Sequence, residues 1–138
     1  MNKIEISFIT INYNSSNLTI KLVDSIISQT VNLDFEIIVV DNASQNEDFQ
    51  NLCDSLNRFD QVKIIKNKIN SGFASGNMLG VNYATGRYYF FINNDCILLN
   101  NTSKILKDFL DFNQDVGVAT AKVLDNNGNY SSSYKQFP

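Results

Sequence analysis

Apolar residues along the chain fall into short compact runs, separated by stretches with helical spacing. Ile4 to Ile11 alternates and is rich in isoleucine, which predicts a strand. Asn12-Tyr13-Asn14-Ser15-Ser16 reads as a turn that supplies helix N-cap candidates. Leu18, Leu22, Val23, Ile26 and Ile27 then share one helical face. Phe35 to Val40 is a second compact run, ending at Asp41 and the polar loop DNASQN. Phe49, Leu52, Cys53 and Leu56 mark a second helix, and Val62 to Ile65 a third strand. The segment NSGFASGNMLGVNYATG is helical in part and glycine-bearing, and Tyr88 to Ile92 is a fourth, continuous strand. Ile105, Leu106, Phe109 and Leu110 mark a further helix with Asn101 or Thr102 as cap. Val116 to Leu124 predicts a fifth strand, followed by a DNNGN turn and a short strand.

Strands that alternate with helices imply a mostly parallel sheet covered by helices on both faces. The compact runs agree, because a strand buried on both faces need not alternate. The expected class is α/β, with strand order 3-2-1-4 plus further strands. At 138 residues the chain is expected to form one domain, residues 1–138. It stops after YKQFP with no closing element, which reads as truncation on the C-terminal side.

Composition narrows the chemistry. The chain is 43% hydrophobic and 18% charged, with a formal net charge of -3 and no basic cluster, so nucleic acid is not the expected partner. No apolar run approaches a membrane span and the N-terminus lacks a signal peptide, so the expected location is cytoplasmic. Peripheral attachment at the inner membrane face is left open. The chain has no histidine, which excludes Ser-His, Cys-His and His-metal schemes. Cys53 and Cys96 lack CxxC spacing and read as two reduced, partly buried thiols.

In an open parallel sheet, ligands bind beyond the carboxyl ends of the strands, where strand order reverses. With order 3-2-1-4 that crevice lies between strands 1 and 4. Its rim carries Asp41 after strand 2 and Asn93-Asn94-Asp95 after strand 4. One carboxylate among amides suits Mg²⁺ or Mn²⁺ held against phosphate oxygens. A simple turn explains Asn93 to Asp95 as well when that stretch is taken alone. Gly72, Gly76 and Gly80, spaced by four, make one smooth helical face, chiefly for tight packing on the sheet. Just before that helix, Asn70 to Phe73 can approach a ligand with bare backbone, and Asn77 can point into the site. Tyr13 can stack on a nucleobase or pack over the sheet edge.

Taken together, ISFITINYNS, FEIIVVDNASQN, NSGFASGNMLGVNYATGRYYFFINNDCILL and GVATAKVLDNNGNYSSSYKQFP resemble family 2 glycosyltransferases of the GT-A (Rossmann-like) fold, especially the rhamnosyltransferase-like branch. The likeness runs over nearly the whole chain, and Asn70 to Leu99 is its most diagnostic stretch. It implies a nucleotide-sugar donor, UDP- or dTDP-linked, and a glycan or lipid-linked acceptor hydroxyl, with transfer by inversion. Thr10, Asn12, Tyr13 and Asp41 would then hold base and ribose, and Asn70, Gly72, Phe73 and Asn77 the donor side. The family's DxD motif reads Asn93-Asn94-Asp95 here: Asp95 keeps the metal ligand for Mg²⁺ or Mn²⁺, and an amide replaces the first carboxylate. Asn93 can hydrogen-bond a donor hydroxyl, with Asn94 beside it. The resemblance also implies that the catalytic base comes from the second half of the domain, so it is expected beyond residue 138; Asp111, Asp115 and Asp125 match no such motif.

Three other readings compete. A phosphorelay receiver needs an acidic pair after strand 1, where Asn12-Tyr13-Asn14 stands. A sugar nucleotidyltransferase needs a glycine-rich basic loop there. A degenerate, non-catalytic nucleotide-binding or assembly domain of the same fold fits the amide in the DxD motif and the missing base, and metal-dependent nucleotide binding discriminates a working donor site from it.

Overall fold

In a computed structural model the chain is described over residues 3–131. It divides into two compact units, residues 1–104 and 105–138. The closing YKQFP lies outside the described residues.

The first unit contains β1 (Ile6–Asn12), α1 (Ser16–Gln29), β2 (Phe35–Asp41), α2 (Asn46–Leu56), β3 (Val62–Lys66), α3 (Gly72–Val81) and β4 (Tyr88–Phe91). The sheet order is β3-β2-β1-β4, with every pairing parallel. Order, orientation and the alternation of strands with helices are those expected from the sequence. β1 and β2 occupy the middle of the sheet, so both of their faces are covered and their residues are buried almost without interruption.

Side-chain alternation sorts the core into two layers. On one face Ile6 and Phe8 of β1 and Ile37 and Val39 of β2 pack with Leu22, Val23 and Ile26 of α1 and Leu52 and Leu56 of α2. Phe8 meets Phe35 edge-on at 5.8 Å and Phe90 tilted at 5.2 Å. On the other face Ile9, Ile38 and Val40 pack with Leu79 and Val81 of α3. Here α3 comes close because it lacks side chains where it crosses the strands. A Cβ on Gly76 would stand 2.8 Å from Ile11 Cδ1, and one on Gly80 2.6 Å from Ile9 Cγ2. Gly72, which opens α3, differs: it has φ 78° and open space around it.

Two details of α1 depart from the expectation. Leu18 is exposed and Thr19 takes the buried position in its place. At the N-cap, Ser15 makes no side-chain cap, and the Ser16 N–H donates instead to Asp48 Oδ1 of α2 at 2.9 Å. The carboxylate thus serves the first turns of two helices at once, where the helix dipole favours negative charge.

The second unit holds most of α4 (Thr102–Phe112), where Lys107 Nζ pairs with Asp111 at 2.9 Å, and a hairpin of β5 (Val123–Leu124) and β6 (Tyr130–Ser131). The strand expected over Val116 to Leu124 is corrected here. Only its last two residues are strand, and they pair antiparallel with β6, not within the parallel sheet. The apolar residues Val118, Val123 and Leu124 are exposed, so the run has apolar content without a ladder to order it. Asp125 fixes the turn, its Oδ1 accepting from the N–H groups of Asn127 and Asn129.

Glycine substitutions test the close approach. Overpacking costs about 1–3 kcal/mol, against about 1 kcal/mol of helix propensity gained by alanine. Gly80→Ala should therefore lower the urea midpoint modestly. Gly86→Ala should lower it more, because its Cβ would meet the Ser7 backbone nitrogen at 2.6 Å and backbone cannot step aside. Gly117→Ala, with nothing within 4 Å, should stay within about 0.5 kcal/mol of the parent.

Candidate functional site

A cavity of 490 Å³ opens beyond the carboxyl ends of β1 and β4, at the reversal of strand order. Its floor is Ile11 and Ile92. One wall is Tyr13 and Ser15, between β1 and α1. A second is Asn42 after β2, with Asn70, Gly72, Phe73 and Asn77 at the start of α3. The third is Asn93, Asn94 and Asp95. The lining carries one ionisable carboxylate, five carboxamides and no lysine or arginine.

Eight of the sequence-predicted site residues meet on this lining: Tyr13, Asn70, Gly72, Phe73, Asn77, Asn93, Asn94 and Asp95. Tyr13 and Phe73 are exposed, and Asn77 is buried, its amide donating to Phe73 O at 3.1 Å. Thr10, Asn12 and Asp41 do not reach it. All three are fully buried, and alternation puts them on the face that packs against α1 and α2. Their side chains thus lie off the cavity lining and beneath its rim. The Thr10 hydroxyl has no hydrogen-bond partner among the described residues.

What those residues do instead is set the geometry from below. Asn12 and Asp41 are register partners at the ends of β1 and β2. The Asn12 amide donates to Asp41 Oδ1 at 3.0 Å, Ser44 Oγ at 3.1 Å and Asp48 Oδ2 at 2.8 Å. Asp41 Oδ2 accepts from the Ser44 N–H at 3.2 Å, across a turn in which Ala43 holds φ 66°. Burial pushes the Asp48 carboxyl up, but hydrogen bonds from the Ser16 N–H and from Asn12, Ser16 and Ser44 outweigh it. The group is held below its ordinary value.

Besides the floor residues Ile11 and Ile92, three polar residues that shape the cavity were not among the expected site residues. The Asn42 carboxamide holds the loop before α3. Its amide donates to Asn70 Oδ1 at 2.8 Å and Gly72 O at 3.3 Å, and its oxygen accepts from Asn67 Nδ2 at 3.1 Å and the Ser71 N–H at 3.2 Å. Ser15 Oγ and Thr19 Oγ1 both accept from Asn94 Nδ2, at 2.7 and 3.0 Å. The signal for Thr19 was available in the sequence as a threonine on the buried stripe of an amphipathic helix, where only a specific partner offsets the burial of a hydroxyl.

The donor set fits a divalent cation of the magnesium or manganese kind. Among the described residues no three acidic, histidine or cysteine side chains cluster, so Asp95 would be the one carboxylate ligand, with ligand phosphate and water completing the shell. Burial and then the Asp95 charge raise the Cys96 thiol above its ordinary value, which disfavours the thiolate form. Cys53 is raised likewise, first by burial.

Comparison with known proteins gives the following. The profile described as glycosyl transferase family 2 matches residues 7–137. An uncharacterized glycosyltransferase of Rickettsia bellii (strain RML369-C) is 29% identical over 122 residues, which is 88% of this chain and 17% of that protein. Another from Rickettsia felis (strain ATCC VR-1525 / URRWXCal2) is 26% identical over 122 residues, 88% of this chain and 20% of that protein. The crystal structure of S. aureus TarS 1-349 in complex with UDP-GlcNAc superposes with a TM-score of 0.68 at 25% identity, over 80% of this chain and 32% of that one. The mannosyltransferase PcManGT from Pyrobaculum calidifontis, in complex with GDP-Man and Mn²⁺, shares the fold, with a TM-score of 0.65 at 17% identity over 75% of this chain and 31% of that one. The chain thus spans no more than a fifth of the curated relatives it matches.

The Asp48 interactions make a pH prediction. A carboxyl whose folded value lies below its unfolded one stabilises the fold above the unfolded value, and loses that contribution as pH falls through the folded value. Urea unfolding of the parent and Asp48→Asn should show the parent more stable at pH 7. The gap should close as pH falls below about 4.

Proposed function

The chain belongs to glycosyl transferase family 2, and from that membership we propose that it is the donor-binding half of a glycosyltransferase. The reaction proposed moves a hexose-type sugar from a UDP- or dTDP-sugar to the hydroxyl of a glycan or lipid-linked acceptor, with inversion at the anomeric carbon. The observation that carries the reading is the cavity at the β1–β4 switch point, with Asp95 beside carboxamides and the bare backbone of Gly72. Relatives in complex with UDP-GlcNAc, and with GDP-Man and Mn²⁺, support it by fold.

In this reading Tyr13 stacks on the nucleobase and Asn70, Gly72, Phe73 and Asn77 form the donor side. Asn93 hydrogen-bonds a donor hydroxyl, and Asp95 holds Mg²⁺ or Mn²⁺. Thr10, Asn12 and Asp41 support these groups from beneath. The cation, when bound, neutralises charge on the diphosphate leaving group. The chain's own residues bind and orient the donor, and large rate factors come from such orientation alone. No general base is assigned among the described residues. Asp111 is ion-paired with Lys107, and Asp125 is spent on its turn.

A second reading, nucleotide binding without transfer, draws on Asn93 standing where the family's motif has a carboxylate. Release of free nucleotide from a sugar donor in the presence of acceptor, measured on a chain that also carries the acceptor-side half, separates the two.

Thermal unfolding with UDP, dTDP and GDP, with and without Mn²⁺, tests the donor site. A ligand at a hundred times its dissociation constant adds about 2.7 kcal/mol, several degrees for a domain of this size. The expected result is a nucleotide-selective upward shift that needs Mn²⁺ and disappears in Asp95→Asn. A melting temperature indifferent to every nucleotide would count against the reading.

A further inference from the structure

The middle residue of Asn93-Asn94-Asp95 has its carboxamide turned back into the protein. Its amide group spends both hydrogens at the start of α1, on Oγ of the N-cap residue Ser15 (2.7 Å) and on Thr19 Oγ1 (3.0 Å). Proton counting fixes this direction. The Asn12 amide faces two carboxylates and a hydroxyl, so its NH₂ lies there and its Oδ1 must face Thr19. Thr19 has a single hydroxyl proton, which it donates to Asn12 Oδ1 at 2.8 Å. Only lone pairs remain for Asn94, which must present NH₂. Thr19 is fully buried and does not line the cavity, so it acts on the site only through its neighbours.

We propose that Asn94 is a positioning residue: its tether to Ser15 and Thr19 sets where Asn93 and the Asp95 carboxylate face the cavity. The inference rests on the donor-site reading for what Asp95 then binds, but the tether itself does not. Among the described residues the rest of the turn has few other hydrogen-bond anchors. The Cys96 N–H bonds only to Asn93 O within the turn, at 3.1 Å, and the next tie to α1 is the Leu98 N–H on Ser25 Oγ at 3.0 Å. Groups that orient a metal ligand without touching the metal typically cost 10- to 100-fold in affinity when lost.

The sharpest variant is Asn94→Asp. It adds a carboxylate beside Asp95, so a residue that coordinated the cation directly would bind it more tightly. A tether predicts the reverse, because an acceptor would then face the lone pairs of Thr19. Two measurements decide. In the ligand-free protein, amide exchange at Cys96 should quicken about tenfold in Asn94→Asp and Thr19→Val, the scale of one lost hydrogen bond. The Ile92 amide, bonded to Ile9 O in the sheet, should not change. Thr19→Ser should restore the parent rate, and Thr30→Val, which breaks the hydroxyl pair with Ser103 at the far end of α1, should leave Cys96 unaffected. In the second measurement, Mn²⁺ titration with UDP followed by electron spin resonance, both tether variants should bind about 10- to 100-fold more weakly. Unchanged Cys96 exchange, or tighter Mn²⁺ binding by Asn94→Asp, overturns the proposal. Absence of Mn²⁺–UDP binding by the parent instead overturns the donor-site reading, and the exchange measurement still decides the tether.

Discussion

A single buried carboxamide, that of Asn12, constrains how the four segments around the cavity meet. Its NH₂ lies within 3.1 Å of Asp41, Ser44 and Asp48, three acceptors for two hydrogens, and its oxygen takes the proton of Thr19. No apolar residue could stand there without leaving buried Asp41, Ser44 and Thr19, and half-buried Asp48, each short of a partner. Such losses cost about 1–3 kcal/mol each, which is a large share of a domain's net stability. The end of β1 is therefore polar for a structural reason. It ties the end of β2 and the first turns of α1 and α2 into one arrangement, from which the cavity walls project.

The two faces of the sheet solve different problems. On the α1 and α2 side, apolar packing gives way to this polar network only at the strand ends. On the α3 side the helix itself is positioned by what it lacks, and hydrogen bonds hold the loops at its two ends, through Asn42 before it and through Glu36 and Ser7 after it. Gly76 and Gly80 let its backbone settle against Ile11, Ile9 and Val40, which brings Gly72 and Asn77 to the cavity. Asn42 then holds the preceding loop through both ends of its carboxamide. One wall is fixed by hydrogen bonds alone and the other by close packing together with the Asn42 bonds, and both converge on the switch point between β1 and β4.

Much of this was legible in the sequence because it follows from local rules. Compact isoleucine- and valine-rich runs separated by helical spacing read correctly as a parallel sheet. The strand-end rule then located Asn93 to Asp95 and the Asn70 to Phe73 segment. What stayed hidden needed pairings distant in the chain. Asp41 and Asp95 look equivalent as strand-end carboxylates, yet one is buried under Asn12 and the other is exposed, and only the register of β1 on β2 distinguishes them. Thr19 reads as a lapse in an apolar stripe until Asn12 and Asn94 stand on either side of it. Val116 to Leu124 reads as a strand because its composition is apolar, whereas strand formation also requires a neighbour, and only two residues of the run have one.

The cavity's electrostatics follow from the same economy of charge. The charged groups near it are turned inward: Asp41 and Asp48 accept hydrogen bonds from Asn12, Ser44 and the start of α1. What faces the cavity is Asp95 together with neutral amides. Neutral carboxamides recognise hydroxyls and carbonyls by direction, but they supply no countercharge. A polyanionic ligand of the proposed kind would meet a wall whose one formal charge repels it. The repulsion becomes attraction only when a cation sits between the ligand and Asp95. With no lysine or arginine on the lining to share that task, binding of anion and cation should be coupled, each requiring the other. The placement of one exposed carboxylate therefore matters more here than in a cavity with basic residues of its own.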